Sequence, residues 1–159
     1  MSEYRCGIGL DAHGFAQGRR LVLGGVEIAY PLGLAGHSDA DVLVHAVIDA
    51  LLGAAGLGDI GRHFPDQDAK YKDISSLVLL DRVKDKLVSG GWRVSNVDAT
   101  IVAQKPRLAE FMDAMEANIA AVLKVEKERV NIKATTTEKL GFTGREEGIA
   151  AVAMATLYM

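Results

Sequence analysis

Much that would mark an exported, membrane-bound or polyanion-binding protein is missing from this 159-residue sequence. Its one cysteine, Cys6, has no partner for an intrachain disulfide, and a free thiol near the N-terminus fits a reducing compartment, so a cytoplasmic protein is expected. No apolar run approaches the ~20 residues of a membrane-spanning helix, and the opening MSEYRCGIGLDAHGF lacks the charged start and apolar core of a signal peptide. Neither sign of charge dominates. The 18 Lys and Arg against 21 Asp and Glu leave a net charge of -3, too little to attract a nucleic acid through the whole-chain field, so any bound anion must be held by local groups. No repeat, linker or low-complexity tract divides the chain, and with 49% hydrophobic residues it can bury one core. A single domain over residues 1–159 is expected.

The elements can be read in order. Arg5 to Phe15 alternates small or apolar residues with polar ones, as a strand does, and Gly24-Gly25 inside LVLGGVEIAY signals a hairpin. After a loop around Pro31 to His37, Asp39 is placed to cap a helix starting near Asp39 or Ala40. That helix carries Val44, Ile48, Leu51, Leu52 and Ala55 at helical spacing and stops at Gly56 and Gly58. GDIGRHFPDQDAKYKD reads as a polar surface loop. A second helix is predicted from about Ser75 to Val88, ended by Gly90-Gly91, then a strand from Val94 to Ala103. Pro106 sits where a third helix can begin, with Leu108, Phe111, Met112, Met115, Ile119 and Val122 as its apolar stripe. Val130 to Thr137 and Gly148 to Tyr158 close the chain as strands, joined by LGFTGREEG. This order predicts an α+β fold, a mixed β-sheet with helices packed on one face. The last strand, IAAVAMATLYM, is apolar at nearly every position, so the other face needs cover, for which oligomerisation is the usual remedy.

Asp11 and His13 stand two apart on a strand, so their side chains share a face and can approach one metal ion. His45, early in the next helix, offers a third ligand. One carboxylate with two imidazoles is a common set for catalytic zinc, which keeps a fourth position open. The plainer alternative is a half-buried His45 satisfied by Asp41 or Asp49. His37 and Ser38 precede the helix, where free backbone donors favour an anion, although an ordinary Ser or Asp cap accounts for the same residues. GAAGLGDIG lacks the Lys-Ser/Thr end of a phosphate loop and follows a helix, so its glycines read as a helix stop and turn. Asp59, between Gly58 and Ile60, is suited to accept hydrogen bonds from a polyol. Thr135, Thr136 and Thr137 are good strand formers that can also hold phosphate oxygens, and the adjoining Glu138 suits Mg²⁺ shared with substrate phosphates.

Together these segments resemble the 2-C-methyl-D-erythritol 2,4-cyclodiphosphate synthase family. The residues that carry the likeness are GLDAH at 9–13, HSDADVLVHAVIDALLGAAGLGDIG at 37–61, FPD at 64–66, NVDATIVAQKPRL at 96–108 and KATTTEKLGFTGREEGIA at 133–150. The resemblance implies a homotrimer with active sites at subunit interfaces, one chain supplying the zinc ligands and its neighbour the cytidine pocket. By position it implies Asp11, His13 and His45 as Zn²⁺ ligands, Glu138 as the Mg²⁺ or Mn²⁺ ligand, and His37 and Thr136 as catalytic groups that stabilise the transition state. It places Asp11, Ala12, His13, His37, Ser38, Asp59, Ile60, Gly61, Phe64, Pro65, Asp66, Gln67 and Asp68 about the methylerythritol phosphate. Ala103, Gln104, Lys105, Pro106, Arg107, Leu108, Ala109, Thr135, Thr136, Thr137 and Glu138 fall about the cytidine and diphosphate, and Phe142 and Arg145 near the substrate and the trimer's central cavity. Arg107 stands where many members have lysine, and Leu10 where some have phenylalanine.

The implied reaction is attack of a substrate's own 2-phosphate on its β-phosphorus with loss of CMP, which needs no protein nucleophile. Two other readings fit part of the sequence. A metal-dependent phosphohydrolase would use the same Asp-His-His set on water but leaves the threonine run unexplained. A non-catalytic trimeric binder of small molecules predicts no metal and no turnover.

Overall fold

The structure, a computed structural model, describes residues 3–159. Strands β1 (Tyr4–Ala16), β4 (Gly33–Leu34), β5 (Arg93–Val102), β6 (Val130–Thr135) and β7 (Gly148–Tyr158) form one sheet in the order β4-β1-β7-β5-β6; β2 (Leu21–Leu23) and β3 (Val26–Ile28) form a separate hairpin. Only the β5 to β6 pairing is parallel, so the sheet is mixed, as expected. Helices α1 (Val42–Ala55), α3 (Ser76–Ser89) and α4 (Met112–Leu123) gather on one face, with α1 on β1 and β7, α4 on β6, and α3 against both helices. Two single-turn helices, α2 (Ile60–His63) and α5 (Gly141–Gly144), lie inside the connections.

Strand alternation decides what the sheet presents to each side. Ile149, Ala151, Ala153, Ala155 and Leu157 of β7 are buried beneath the helices with Val97, Ala99 and Ile101 of β5. On β1, Gly7 and Gly9 occupy the same face, and a Cβ there would stand 2.1 Å from the Ala50 carbonyl oxygen and 2.0 Å from that of Ala46. Glycine at both positions therefore lets α1 lie directly on the strand. The opposite face has no cover among the described residues: Ile8 and Leu10 are 68% exposed and Met154, the register partner of Ile8, is 51% exposed.

Several boundaries differ from the sequence reading. The cap of α1 is Asp41, not Asp39, and the helix starts at Val42 and not at Asp39 or Ala40; the Asp41 side chain accepts from Val44 N–H and also from the Gly24 and Gly25 amides at 2.9 and 2.7 Å. One fully buried carboxylate thus starts the helix and fastens the β2 to β3 turn, whose glycines both have positive φ. Asp39 instead accepts from Ser76 N–H at 3.0 Å and so satisfies the first amide of α3, whose N-cap residue is Ser75. Residues from Pro106 on do not open a helix: Lys105-Pro106 is a cis peptide in a loop, and α4 starts only at Met112 after a 3-10 turn, Ala109–Phe111. The stretch read as a surface loop is pinned by buried Phe64 and Tyr71, packed edge to face at 5.4 Å.

Candidate active site

β1 and α1 bring the Asp-His-His set together. Gly7 and Gly9 seat the helix on the strand, and the next two residues on that face, Asp11 and His13, reach His45 in the first turns of α1. Asp11 Oδ2 lies 2.9 Å from His13 Nε2 and 3.0 Å from His45 Nδ1, and the two ring nitrogens are 3.2 Å apart. The other carboxylate oxygen accepts from Ala12 N–H at 2.9 Å, which holds Oδ2 toward the rings. Three lone-pair donors thus converge where a cation with Zn–N bonds of ~2.0–2.1 Å could reach all of them. Burial by itself would raise the Asp11 pKa, but the His13 and His45 rings outweigh it and hold the carboxyl well below the usual range. Burial would likewise lower His13, but Asp11 holds it above its ordinary value. The donor set fits a divalent cation, and His45 faces Asp11, not the Asp41 or Asp49 considered as alternatives.

A cavity of ≈ 180 Å³ opens over this cluster, lined by His37, Ser38, Ile60, Gly61, Phe64 and Asp66 as well as Asp11, His13 and His45. The 59–61 segment is held from below by Asp49, which accepts from Ile60 N–H at 2.7 Å. Asp59 caps α2 by accepting from Arg62 N–H at 2.9 Å, so one of its oxygens is already engaged. His37 Nε2 is 3.1 Å from the Asp68 carbonyl oxygen, which ties the two loops across the cavity. His37 and Ser38 do not stand at the free end of α1, since the Asp41 carboxylate already occupies the place an anion would take there.

Ala103, Gln104, Pro106, Arg107, Leu108, Ala109, Thr135 and Thr136 line a second cavity of ≈ 230 Å³. Gln104 Oε1 accepts from Lys139 N–H at 3.1 Å and joins its two loops. Glu138 has φ 51 and accepts from the Thr136 hydroxyl at 3.2 Å. Phe142 is 42% exposed, and Arg145 is committed to Glu147 by two bonds of 3.0 and 3.1 Å. The strand register sets this cavity at the same end of the sheet as the first: Ala12 faces Ala150, Ala150 faces Val102, and Val102 faces Thr135. Three strand spacings separate β1 from β6, about 14 Å. A larger cleft, ≈ 440 Å³, lies beside Trp92 and Tyr158 at the other end of the sheet and includes none of these residues.

Sequence reasoning passed over two residues here, Tyr71 in the cavity wall and Ser76, whose hydroxyl lies 2.9 Å from His45 Nε2, and it offered Asp49 only as a partner for His45, whereas Asp49 holds the 59–61 turn. A glycine pair two apart on one strand was the available sign that a helix comes close; nothing local marks Ser76.

Residues 4–158 match the YgbB family. The chain is 61% identical over 153 residues, 96% of its length and 98% of the relative's, to a 2-C-methyl-D-erythritol 2,4-cyclodiphosphate synthase of Syntrophomonas wolfei subsp. wolfei. It is 59% identical over 157 residues, 99% and 98% of the two lengths, to the protein of that name from Thiobacillus denitrificans. Among solved structures it resembles the bifunctional IspDF from Campylobacter jejuni, with TM-score 0.96 and 47% identity, covering 99% of this chain and 43% of that one. It also resembles Plasmodium falciparum IspF in complex with CDP, with TM-score 0.84 and 30% identity over 97% of this chain and 95% of that one. By a match that spans nearly every residue, the chain belongs to the YgbB family, that of the 2-C-methyl-D-erythritol 2,4-cyclodiphosphate synthases.

Proposed function

We propose that the chain, acting as one domain over residues 1–159, converts 4-diphosphocytidyl-2-C-methyl-D-erythritol 2-phosphate to 2-C-methyl-D-erythritol 2,4-cyclodiphosphate and CMP, in the non-mevalonate isoprenoid route of the cytoplasm. The observation that carries this reading is the Asp11, His13 and His45 triangle, assembled beneath a polar cavity, in a chain 61% identical to a synthase of that activity. Zn²⁺ at the triangle and Mg²⁺ or Mn²⁺ at Glu138 would neutralise charge on the reacting phosphates. An oxygen of the 2-phosphate forms a bond to the β-phosphorus, the bond from that phosphorus to the CMP oxygen breaks, and CMP leaves with the electron pair.

The chain's own residues bind and orient. Asp59, Ile60 and Gly61, with Phe64 behind them, hold the polyol, and the 103–109 loop with Thr135 and Thr136 holds the cytidine diphosphate end. His37 and Thr136 donate hydrogen bonds to phosphate oxygens as charge develops. Holding the internal nucleophile in line is worth on the order of 7 to 11 kcal/mol, more than one added hydrogen bond supplies.

The two cavities of one chain lie about three strand spacings apart, and the uncovered Ile8, Leu10 and Met154 ask for burial. Both facts favour a homotrimer in which the metal half of one subunit meets the threonine half of the next. Light scattering should give three times the chain mass. The reaction is tested in ¹⁸O-labelled water with phosphorus NMR. Two coupled ring signals and no label in CMP or the diphosphate are expected; label in a product, or an open-chain diphosphate, would sink the proposal and favour the phosphohydrolase.

A further inference from the structure

Behind His45, on the side away from the cavity, runs a chain of hydrogen bonds with a fixed direction. The Asp39 carboxylate accepts on both oxygens: Oδ2 from Ser76 N–H at 3.0 Å, and Oδ1 from Asp41 N–H at 3.2 Å and from the Ser76 hydroxyl. The Ser76 proton is thereby committed to Asp39, which leaves the lone pairs of Oγ to face His45 Nε2 at 2.9 Å. Nε2, which the Ser38 hydroxyl also approaches at 3.1 Å while that oxygen accepts from Ala40 N–H, then carries a ring proton to give to Ser76. With Nε2 occupied by that proton, Nδ1, the atom that faces Asp11 and His13, is the one free to give its lone pair to a metal that displaces any proton it shares with Asp11. Ser76 is fully buried at the start of α3, so the link also fixes the ring of His45 on α1 against a neighbouring helix.

We infer that Asp39 and Ser76 are positioning residues of the cation site, setting the tautomer and orientation of His45. This rests on the reading of Asp11, His13 and His45 as metal ligands. Partners behind a ligating histidine commonly set affinity by 10- to 100-fold. The competing account, in which Asp39 merely satisfies the first amide of α3, needs only the bond from Ser76 N–H and is indifferent to the hydroxyl.

Ser76→Ala separates the two, because it keeps the backbone bond and removes the hydroxyl. Zn²⁺ affinity measured by competition with a chromophoric chelator should fall about 10- to 100-fold, with the circular dichroism and melting curve of the metal-free protein little changed. Ser76→Thr should recover most of the affinity. A loss of under about threefold in Ser76→Ala, well short of that range, overturns the inference. Imidazole ¹⁵N chemical shifts of the metal-free wild type at pH 8 test it without metal: His45 should carry a proton on Nε2, whether or not Nδ1 also holds one toward Asp11, and an Nδ1–H tautomer with a bare Nε2 would overturn it. Wild type that takes up no zinc would remove the metal reading, and the nitrogen shifts would still decide whether Ser76 sets the tautomer.

Discussion

The Asp11-His13-His45 cluster and the Thr135 to Glu138 segment sit at one end of the same sheet but are built by different means. In the first, each of the three side chains projects from a regular element, and two are held by a further group: Asp11 by Ala12 N–H, His45 by Ser76 and Ser38. The donor atoms meet in advance of any ligand. In the second, Thr136 to Glu138 lie past the end of β6, exposed or nearly so, with Glu138 and Lys139 in the left-handed region and only short-range bonds plus Gln104 to hold them. A site for a transition-metal ion bound by imidazole nitrogens needs lone pairs fixed within fractions of an ångström, which packed elements supply. A site for a larger ligand tolerates loops that settle around it.

The contrast predicts unequal damage. His45→Ala should leave less than a tenth of an equivalent of zinc by elemental analysis, and turnover should fall by at least ~10³-fold, since a metal contributes several kcal/mol to stabilising charge. Zinc retained at one equivalent would break the comparison at its rigid end. Glu138→Gln, on the loose side, should keep its zinc and lose about 10²-fold in Mg²⁺-stimulated turnover, or ~2.7 kcal/mol; unchanged Mg²⁺ dependence would remove its role. Mixing the two variants and allowing subunits to exchange should then restore roughly one quarter of wild-type activity, because a random trimer draws an intact metal half and an intact threonine half with that frequency. If the mixture stays as inactive as its parts, both halves come from one chain.

The smallest effect expected concerns the anchor of the rigid half. Burial, with the Asp39 carboxylate nearby, pushes Asp41 up to about 6 from 3.8, although the Gly25, Val44 and Gly24 amides pull the other way. Between those values the folded protein holds a proton that the unfolded chain has lost, so stability should fall as pH rises through the window and the loss should be complete above about 6. Asp41→Asn, which does not titrate, should lack this slope. Urea midpoints from pH 4 to 7 that run parallel in the two proteins would contradict it.

The meeting of Asp11, His13 and His45 was legible because strand alternation puts Asp11 and His13 on one face and helical spacing marks α1. Asp39 misled for a physical reason: an Asp before an apolar periodic run is a good cap signal, and Asp39 and Asp41 both qualify. The choice fell to contacts from elsewhere, since the Gly24 and Gly25 amides claim Asp41 while Ser76 claims Asp39. Pro106 misled likewise. A proline suits the first turn of a helix, but here its cis peptide bends the 103–109 loop over the second cavity and postpones α4 to Met112.

By itself the sequence determined the order and kind of the main elements, the Asp-His-His cluster that could hold a cation and the sheet face that would go bare, since periodicity and side-chain chemistry are local properties. Only the tertiary structure decided which carboxylate serves which helix, that Ser76 stands behind His45, and that the two cavities are held about three strand spacings apart. Those depend on strand order and on the approach of α1 that Gly7 and Gly9 permit, contacts between residues far apart in the chain that no local pattern encodes.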